Sequence, residues 1–153
     1  MRFPFLLAVL TLVLSCGNEP TPTRLRSVCA EDVLGQTFTP DMEQTGPAGY
    51  TVKLVDVNPN PPSEGNNDWN FEILLPSGDP LLDANVFVKP WMPNHGHGTA
   101  IKPIVTSPET DQTSYLVSPV NLRMPGLWRI GFEISDSDST VVDVVEYHFC
   151  IEG

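Results

Sequence analysis

The stretch "GLWRIGFEIS", residues 126–135, decides the fold class. Apolar residues occupy every second position from Trp128 to Ile134, and polar or small residues lie between them. Side chains of a β-strand point alternately to opposite faces of a sheet, so this alternation predicts a strand with one buried face. The stretch therefore indicates a sheet that covers a hydrophobic core.

Similar segments occur on both sides of this strand. Six more are predicted to be strands: "YTVKLVDV" (50–57), "DWNFEILL" (68–75), "ANVFVK" (84–89), "IKPIVTS" (101–107), "SYLVSPVNL" (114–122) and "TVVDVVEYHFCI" (140–151). Turn-forming stretches separate them, including a hairpin connection at 136–138, and 16 prolines and 11 glycines leave little room for helix. Short strands at this spacing predict an all-β protein, an immunoglobulin-like antiparallel β-sandwich of about seven strands. A small open barrel is the alternative.

The N-terminal residues have the layout of an export signal. Residues 1–15 carry one positive charge at Arg2, then an apolar run that is too short to span a bilayer as a helix. The run ends in "VLSC", which resembles the lipobox of bacterial lipoproteins and implies that Cys16 is lipidated. An ordinary secretory signal with an incidental cysteine is the alternative.

Residues 16–27 are polar and proline-rich and are predicted to be a flexible tether. The remainder, 28–153, has the length of one domain.

Two cysteines remain after Cys16, one near each end of the domain. An even pair in an exported protein is typical of a disulfide, so Cys29 and Cys150 are predicted to be bonded. In the chain-entropy treatment such a long loop stabilises the fold by up to about 4 to 5 kcal/mol.

The charge of the chain limits its partners. The formal net charge is -11, so nucleic acid and anionic lipid head groups are repelled by the surface as a whole. A cation is the more natural ligand. Acidity that serves only to keep an exported domain soluble is the other interpretation.

A second stretch, "KPWMPNHGHGTA" (89–100), contains two of the three histidines. His95 and His97 are separated by two positions, so in an extended segment both imidazoles project to the same side. Gly96 and Gly98 allow the backbone to approach a bound group closely. Trp91 and Met92 are apolar where a connection should be polar, and Pro93 biases the preceding residue towards an extended backbone.

Two imidazoles and a thioether form a donor set suited to Cu(I), and the nitrogens alone also accept Cu(II) or Zn(II). Met124, in the stretch "NLRMPGLW", is the candidate for a fourth donor if the two connections meet. The alternative is structural: Met92 and Trp91 cover one end of the sandwich, and the histidines are solvated or bond to loop carbonyls.

The same two stretches resemble the YtkA-like domain, a relative of the FixH-like proteins. "VFVKPWMPNHGHGT" followed by "SYLVSPVNLRMPGLWRIGFEI", between Val86 and Ile134, is similar to the family's M-P-x-H-x-H-G and L-x-M-x-G-x-W motifs. The motif positions fall on Met92, Pro93, His95, His97 and Gly98, then on Met124, Gly126 and Trp128.

This resemblance implies an extracytoplasmic β-sandwich that handles copper, because FixH-like proteins accompany the supply of copper to a terminal respiratory oxidase. Met92, His95, His97 and Met124 then become the metal ligands, with Trp91, Pro93, Gly96, Gly98 and Trp128 as supporting residues. The chain departs from FixH-like members by having a lipid anchor in place of a membrane helix.

Catalysis is not expected. A copper-zinc dismutase centre needs more imidazoles than three, a blue-copper centre needs a free thiolate, and no G-x-S-x-G nucleophile motif occurs.

Two hypotheses about function remain. One is a copper chaperone or buffer that is anchored by lipid in the cell envelope, faces the periplasm and delivers Cu(I) to another envelope protein. The other is a metal-free module that docks a partner through the loop from Trp91 to Gly98. The resemblance to bacterial lipoproteins, in which aspartate after the lipidated cysteine is often associated with inner-membrane retention, implies an outer-membrane location in a diderm host, because Gly17 follows Cys16.

Overall fold

The structure is a computed structural model that describes residues 28–30, 32–135 and 140–153. This part of the chain is all β. Its nine strands are β1 (Met42–Thr45), β2 (Thr51–Asn58), β3 (Gly65–Leu74), β4 (Asn85–Met92), β5 (His97–Gly98), β6 (Ile104–Thr106), β7 (Tyr115–Leu122), β8 (Gly126–Ser135) and β9 (Val141–Ile151). None of the described residues belongs to a helix long and apolar enough to cross a membrane. The predicted signal, Cys16, the tether 16–27 and the turn at 136–138 lie outside the described residues.

The strands form two antiparallel sheets, which confirms the predicted sandwich. One sheet has the order β1-β2-β3-β7-β6 and the other has the order β5-β4-β8-β9. If β2 is taken as strand A, the sheets become A-B-E-D and C-F-G, which is the strand order of immunoglobulin domains. β1 and β5 are additions at opposite edges of this arrangement.

The core lies between the two sheets and is rich in aromatic side chains. The inward positions of β8 are buried as the alternation predicts, from Trp128 to Ile134. Phe132 packs edge-on against Phe71 of the opposite sheet, with ring centroids 5.0 Å apart. Trp69 and Phe149 make a similar contact at 5.6 Å. Burying one large apolar side chain stabilises a fold by roughly 1.5 to 3 kcal/mol, so these contacts hold the sheets together.

The predicted disulfide is present. Cys29 and Cys150 are bonded with their Cα atoms 5.6 Å apart and 121 positions apart in sequence. Next to it, the main-chain N–H of Gln36 donates to the carbonyl of His148, and the N–H of His148 donates to Oε1 of Gln36. The segment that precedes β1 is therefore fastened along β9.

Two strands were not predicted, and two, β3 and β4, are longer than predicted. β1 pairs with β2 although its sequence has no apolar alternation, and β5 contains only two residues. β4 continues past Lys89 to Met92. Pro90 lies where β4 has β8 as its only neighbour, and proline is tolerated at a strand edge because no ladder bond is required there.

Candidate metal site

The histidine stretch is a tight hairpin between β4 and β5. Met92, the last residue of β4, pairs with His97, and the carbonyl of Met92 accepts bonds from the N–H groups of His95 and Gly96 at 3.1 and 2.9 Å. Gly96 has a φ of 67°, in the left-handed region that favours glycine. The prediction of an extended segment from His95 to His97 is therefore wrong, because His95 lies in the turn and only His97 lies in a strand.

The hairpin nevertheless brings the two imidazoles together. The ring centroids of His95 and His97 are 5.8 Å apart, with the ring planes at 76°, and both side chains are exposed. Nδ1 of His97 lies 3.0 Å from the carbonyl oxygen of Gly98. A carbonyl can only accept, so Nδ1 carries the proton in this bond. The neutral ring then presents the lone pair of Nε2, which is how metal-binding histidines are commonly oriented.

The connection between β7 and β8 approaches this hairpin from the other sheet. The indole Nε1 of Trp128 donates to the carbonyl of Met124 at 2.9 Å, and the same indole lies 6.4 Å from the ring of His97. One buried tryptophan therefore links Met124 to the histidine hairpin. Met124 is 37% exposed, so the residue lies at the surface of this end of the sandwich.

Met92 differs from the other three predicted ligands because it is buried. Its side chain is only 1% exposed. A Cβ atom on Gly126 would lie 2.7 Å from the terminal methyl group of Met92, and Gly126 has a φ of 127°. The Met92 thioether thus fills the space beneath the β7–β8 connection. This burial agrees with the structural alternative for Met92, whereas Trp91 lies on the outer face of β4 with 37% of its surface exposed.

Two further features hold the hairpin in place. A Cβ atom on Gly98 would lie 2.9 Å from the carbonyl oxygen of Pro90, so only glycine fits there without a shift. The hydroxyl of Thr99 donates to Oδ1 of Asn121 at 3.2 Å, and Nδ2 of Asn121 donates to Asn66 at 2.6 Å. Asn121 is buried, and sequence reasoning did not identify it. The available signal was a polar residue within the apolar end of a predicted strand.

The donor set around the hairpin contains thioethers and imidazoles. Among the described residues, no three side chains of His, Cys, Asp or Glu gather in a way that could hold a metal ion. Methionine sulfur is the side-chain donor that could add to the two imidazoles at this end of the described sandwich. Such a set selects soft ions.

Comparison with protein-family models matches residues 44–133 to the YtkA-like family. The match extends from β1 to β8, covers more than half of the chain, and includes both the hairpin and the β7–β8 connection. The chain therefore belongs to the YtkA-like family. A search of curated proteins and a search of solved structures each found no match.

Proposed function

We propose that this YtkA-like protein binds one copper ion, as Cu(I), at the end of the sandwich where the β4–β5 hairpin meets the β7–β8 connection. His95, His97 and Met124 act as ligands, and Met92 supplies a sulfur beneath them. The protein then serves as an extracytoplasmic copper chaperone or buffer that is attached through lipid on Cys16. The observation that carries the proposal is the convergence of the two imidazoles with the connection that carries Met124.

The separation of the two rings is compatible with a shared ion. Imidazole nitrogens bind borderline metals at about 2.0 Å, and two rings that hold one ion then have centroids roughly 5 to 6 Å apart. The centroids of His95 and His97 are 5.8 Å apart. Little rearrangement of the hairpin is needed for Nε2 of His97 to reach an ion near His95.

The exposure of the ligands favours transfer of the ion. His95, His97 and Met124 all face solvent at the end of the sandwich. A receiving protein can therefore contact the ion and replace one donor at a time, without the domain opening. The rigid sandwich below keeps Met92 and Trp128 in place during this exchange.

Competition titration with a chromogenic cuprous chelator tests the proposal. Wild-type protein is expected to remove one equivalent of Cu(I) from the chelator. The His95→Ala/His97→Ala double variant should lose at least about 100-fold in affinity, and Met124→Leu about 10-fold, because loss of one ligand or its support commonly weakens metal sites 10- to 100-fold.

His148→Ala is the matched control, because His148 lies on β9 and is the one histidine outside the hairpin. It should bind Cu(I) as the wild type does. Equal and negligible uptake by the wild type and the double variant would refute the copper function and leave metal-free docking through the loop from Trp91 to Gly98.

A further inference from the structure

One lateral side of the sandwich has two unpaired strand edges. β5 covers only Trp91 and Met92, so residues 85–90 of β4 have β8 as their single neighbour. β6 is the last strand of the other sheet and pairs with β7 alone. β4 and β6 face each other across a groove with a volume of about 660 Å³.

The groove is lined by apolar side chains from both strands. Phe87 and Ile104 are 54% and 68% exposed, and Val88 and Val105 form part of its floor and wall. Single exposed apolar residues are common on protein surfaces, but a continuous apolar groove bordered by polar residues is typical of a binding site. Val88 belongs to the hydrophobic core and Val105 packs against it, whereas Phe87 and Ile104 lie outside the core and are available to a ligand.

The charge of the groove is opposite to that of the protein. The chain has 19 acidic and 8 basic residues, yet no aspartate or glutamate lines the groove, while Lys89 and Lys102 do. Lys89 forms an ion pair with Glu133 of β8 at 2.5 Å. Lys102 forms no ion pair with a carboxylate in the described part of the chain. A ligand that carries a carboxylate would provide its missing partner.

We propose that this groove binds an extended segment of a partner protein, with alternating apolar residues and an acidic residue, by strand addition to the free edge of β4. The unpaired main-chain groups of residues 85–90 supply hydrogen bonds, and the apolar groove accepts every second side chain. Lys102 meets the carboxylate, which fixes the register of the added strand.

The same features disfavour a second copy of this chain as the occupant. Each copy carries the net charge of -11, so two copies repel each other. Lys89 and Pro90 also lie on the free edge, and lysine and proline there are typical devices against pairing of like edges. A partner segment with its own acidic residue can still bind, because Lys102 lies where it would be needed.

The groove lies next to the candidate metal site but does not depend on it. The end of the groove nearest the hairpin is lined by Trp91, Gly98 and Thr99, and Gly98 follows His97 directly. A segment bound there would hold its protein beside the two imidazoles. The binding itself uses no metal, so it can be tested without copper.

Selection from random twelve-residue peptides displayed on phage tests this inference, with the metal-free full chain as the target. The enriched peptides are expected to alternate apolar residues with at least one aspartate or glutamate. An enriched peptide is then synthesised and titrated into ¹⁵N-labelled full chain in detergent micelles. Amide signals of residues 85–89, 91 and 104–106 should shift most.

Variants of the protein and of the peptide separate the contributions of charge, apolar contact and main-chain hydrogen bonds to peptide binding. Lys102→Glu should weaken the peptide at least 10-fold and select basic peptides instead, whereas Arg123→Glu, with the same change of charge outside the groove, should leave the affinity within twofold. Ile104→Thr should weaken binding, and Leu116→Thr, a substitution on the outer face of β7, should not. A peptide methylated on alternate main-chain nitrogens should not bind.

Several outcomes would overturn the inference. They are the absence of any enriched pattern, enrichment of basic peptides on the wild type, and unchanged binding of the N-methylated peptide. Shifts of the same amides with protein concentration alone would indicate a second copy as the occupant. Shifts on addition of phosphatidylglycerol vesicles alone would indicate a lipid. Because no copper is present, each of these results is independent of the cuprous titration.

Discussion

The two lateral sides of the sandwich are built in opposite ways. On the side where β1 meets β9, the hydroxyl of Tyr147 lies 3.0 Å from the carbonyl oxygen of Met42 and 2.6 Å from that of Val52. The buried carboxylate of Asp143 accepts bonds from the N–H groups of Ala48 and Tyr50. On the side where β4 faces β6, the connection from β5 to β6 crosses between the sheets, but residues 85–90 of β4 and one edge of β6 have no strand partner in the described part of the chain.

This contrast separates folding from binding. The closed side uses buried polar contacts between strands that are distant in sequence, and such contacts contribute to stability. The open side exposes apolar groups whose removal leaves the core intact. We therefore expect substitutions on the closed side to change stability and substitutions on the open side to change recognition.

The largest expected effect comes from the disulfide on the closed side. Replacing Cys29 and Cys150 together by alanine should lower the free energy of unfolding by about 4 to 5 kcal/mol, because the bond closes a loop with a sequence separation of 121. Urea unfolding followed by tryptophan fluorescence measures this change. A loss below 1 kcal/mol would mean that the contacts of Gln36 with His148 hold the N-terminal segment without the bond.

Tyr147→Phe should have an intermediate effect of about 1 to 2 kcal/mol at neutral pH, because the fold loses a buried hydrogen bond between β9 and the strands β1 and β2. Burial also raises the pKa of Tyr147 above its ordinary value of about 10.

This raised pKa gives the variant a pH signature. The neutral phenol stabilises the fold fully below the unfolded-state pKa of about 10, and this stabilisation is lost as the pH rises from there through the folded-state pKa. The free energy of unfolding, measured from pH 8 to 11, should therefore fall less steeply with rising pH in Tyr147→Phe than in the wild type. Tyr115, whose pKa is raised by burial, and Lys53, whose pKa is raised by its hydrogen bonds with Asp41 and Glu72, contribute to the slope that remains. If the free energy of unfolding depended on pH in the same way in both proteins, a raised pKa of Tyr147 would be contradicted.

The smallest effect is expected on the open side. Phe87→Thr and Ile104→Thr should each change the free energy of unfolding by less than about 0.5 kcal/mol, since both side chains are more than half exposed and threonine is favoured in strands. The same urea titration measures both. A loss above 1.5 kcal/mol in either variant would show that the groove belongs to the folding core and would remove the contrast between the two sides.

The sequence predicted the sandwich because its central strands have a strong period of two. The alternation in β3 and β8 agrees with burial on one face and is retained in the structure. Pro119 did not break the strand predicted around it. Ser118 and Pro119 oppose the single residue Asp68, so proline occupies a bulge in the ladder between β3 and β7.

The two strands that were not predicted, β1 and β5, lack this period of two. β1 has alternating half-buried and exposed residues, and only Met42 among them is strongly apolar, so nothing in "MEQT" distinguishes it from a loop. β5 exists because the turn at Gly96 returns the chain alongside Met92, which is a consequence of tertiary pairing. Period-based reasoning cannot detect a strand of two residues.

For the candidate site, the sequence identified the residues but not their arrangement. The spacing of His95 and His97 predicted neighbouring rings, and the rings are neighbours, although a turn rather than an extended strand brings them together. That Trp128 contacts both the Met124 carbonyl and the ring of His97 depends on how the two sheets pack, which no local pattern contains. The support from Asn121 was missed for the same reason, because its partner Thr99 is 22 positions away.

The bond between Cys29 and Cys150 also fixes the place at which the described part of the chain begins. Cys150 pairs with Leu127 at the start of β8, directly after the connection that carries Met124. The described part of the chain therefore begins at the end of the sandwich where the histidines lie. If the proposed copper site is correct, a receiving protein must approach the domain at the same end as the disulfide and the segment that follows it.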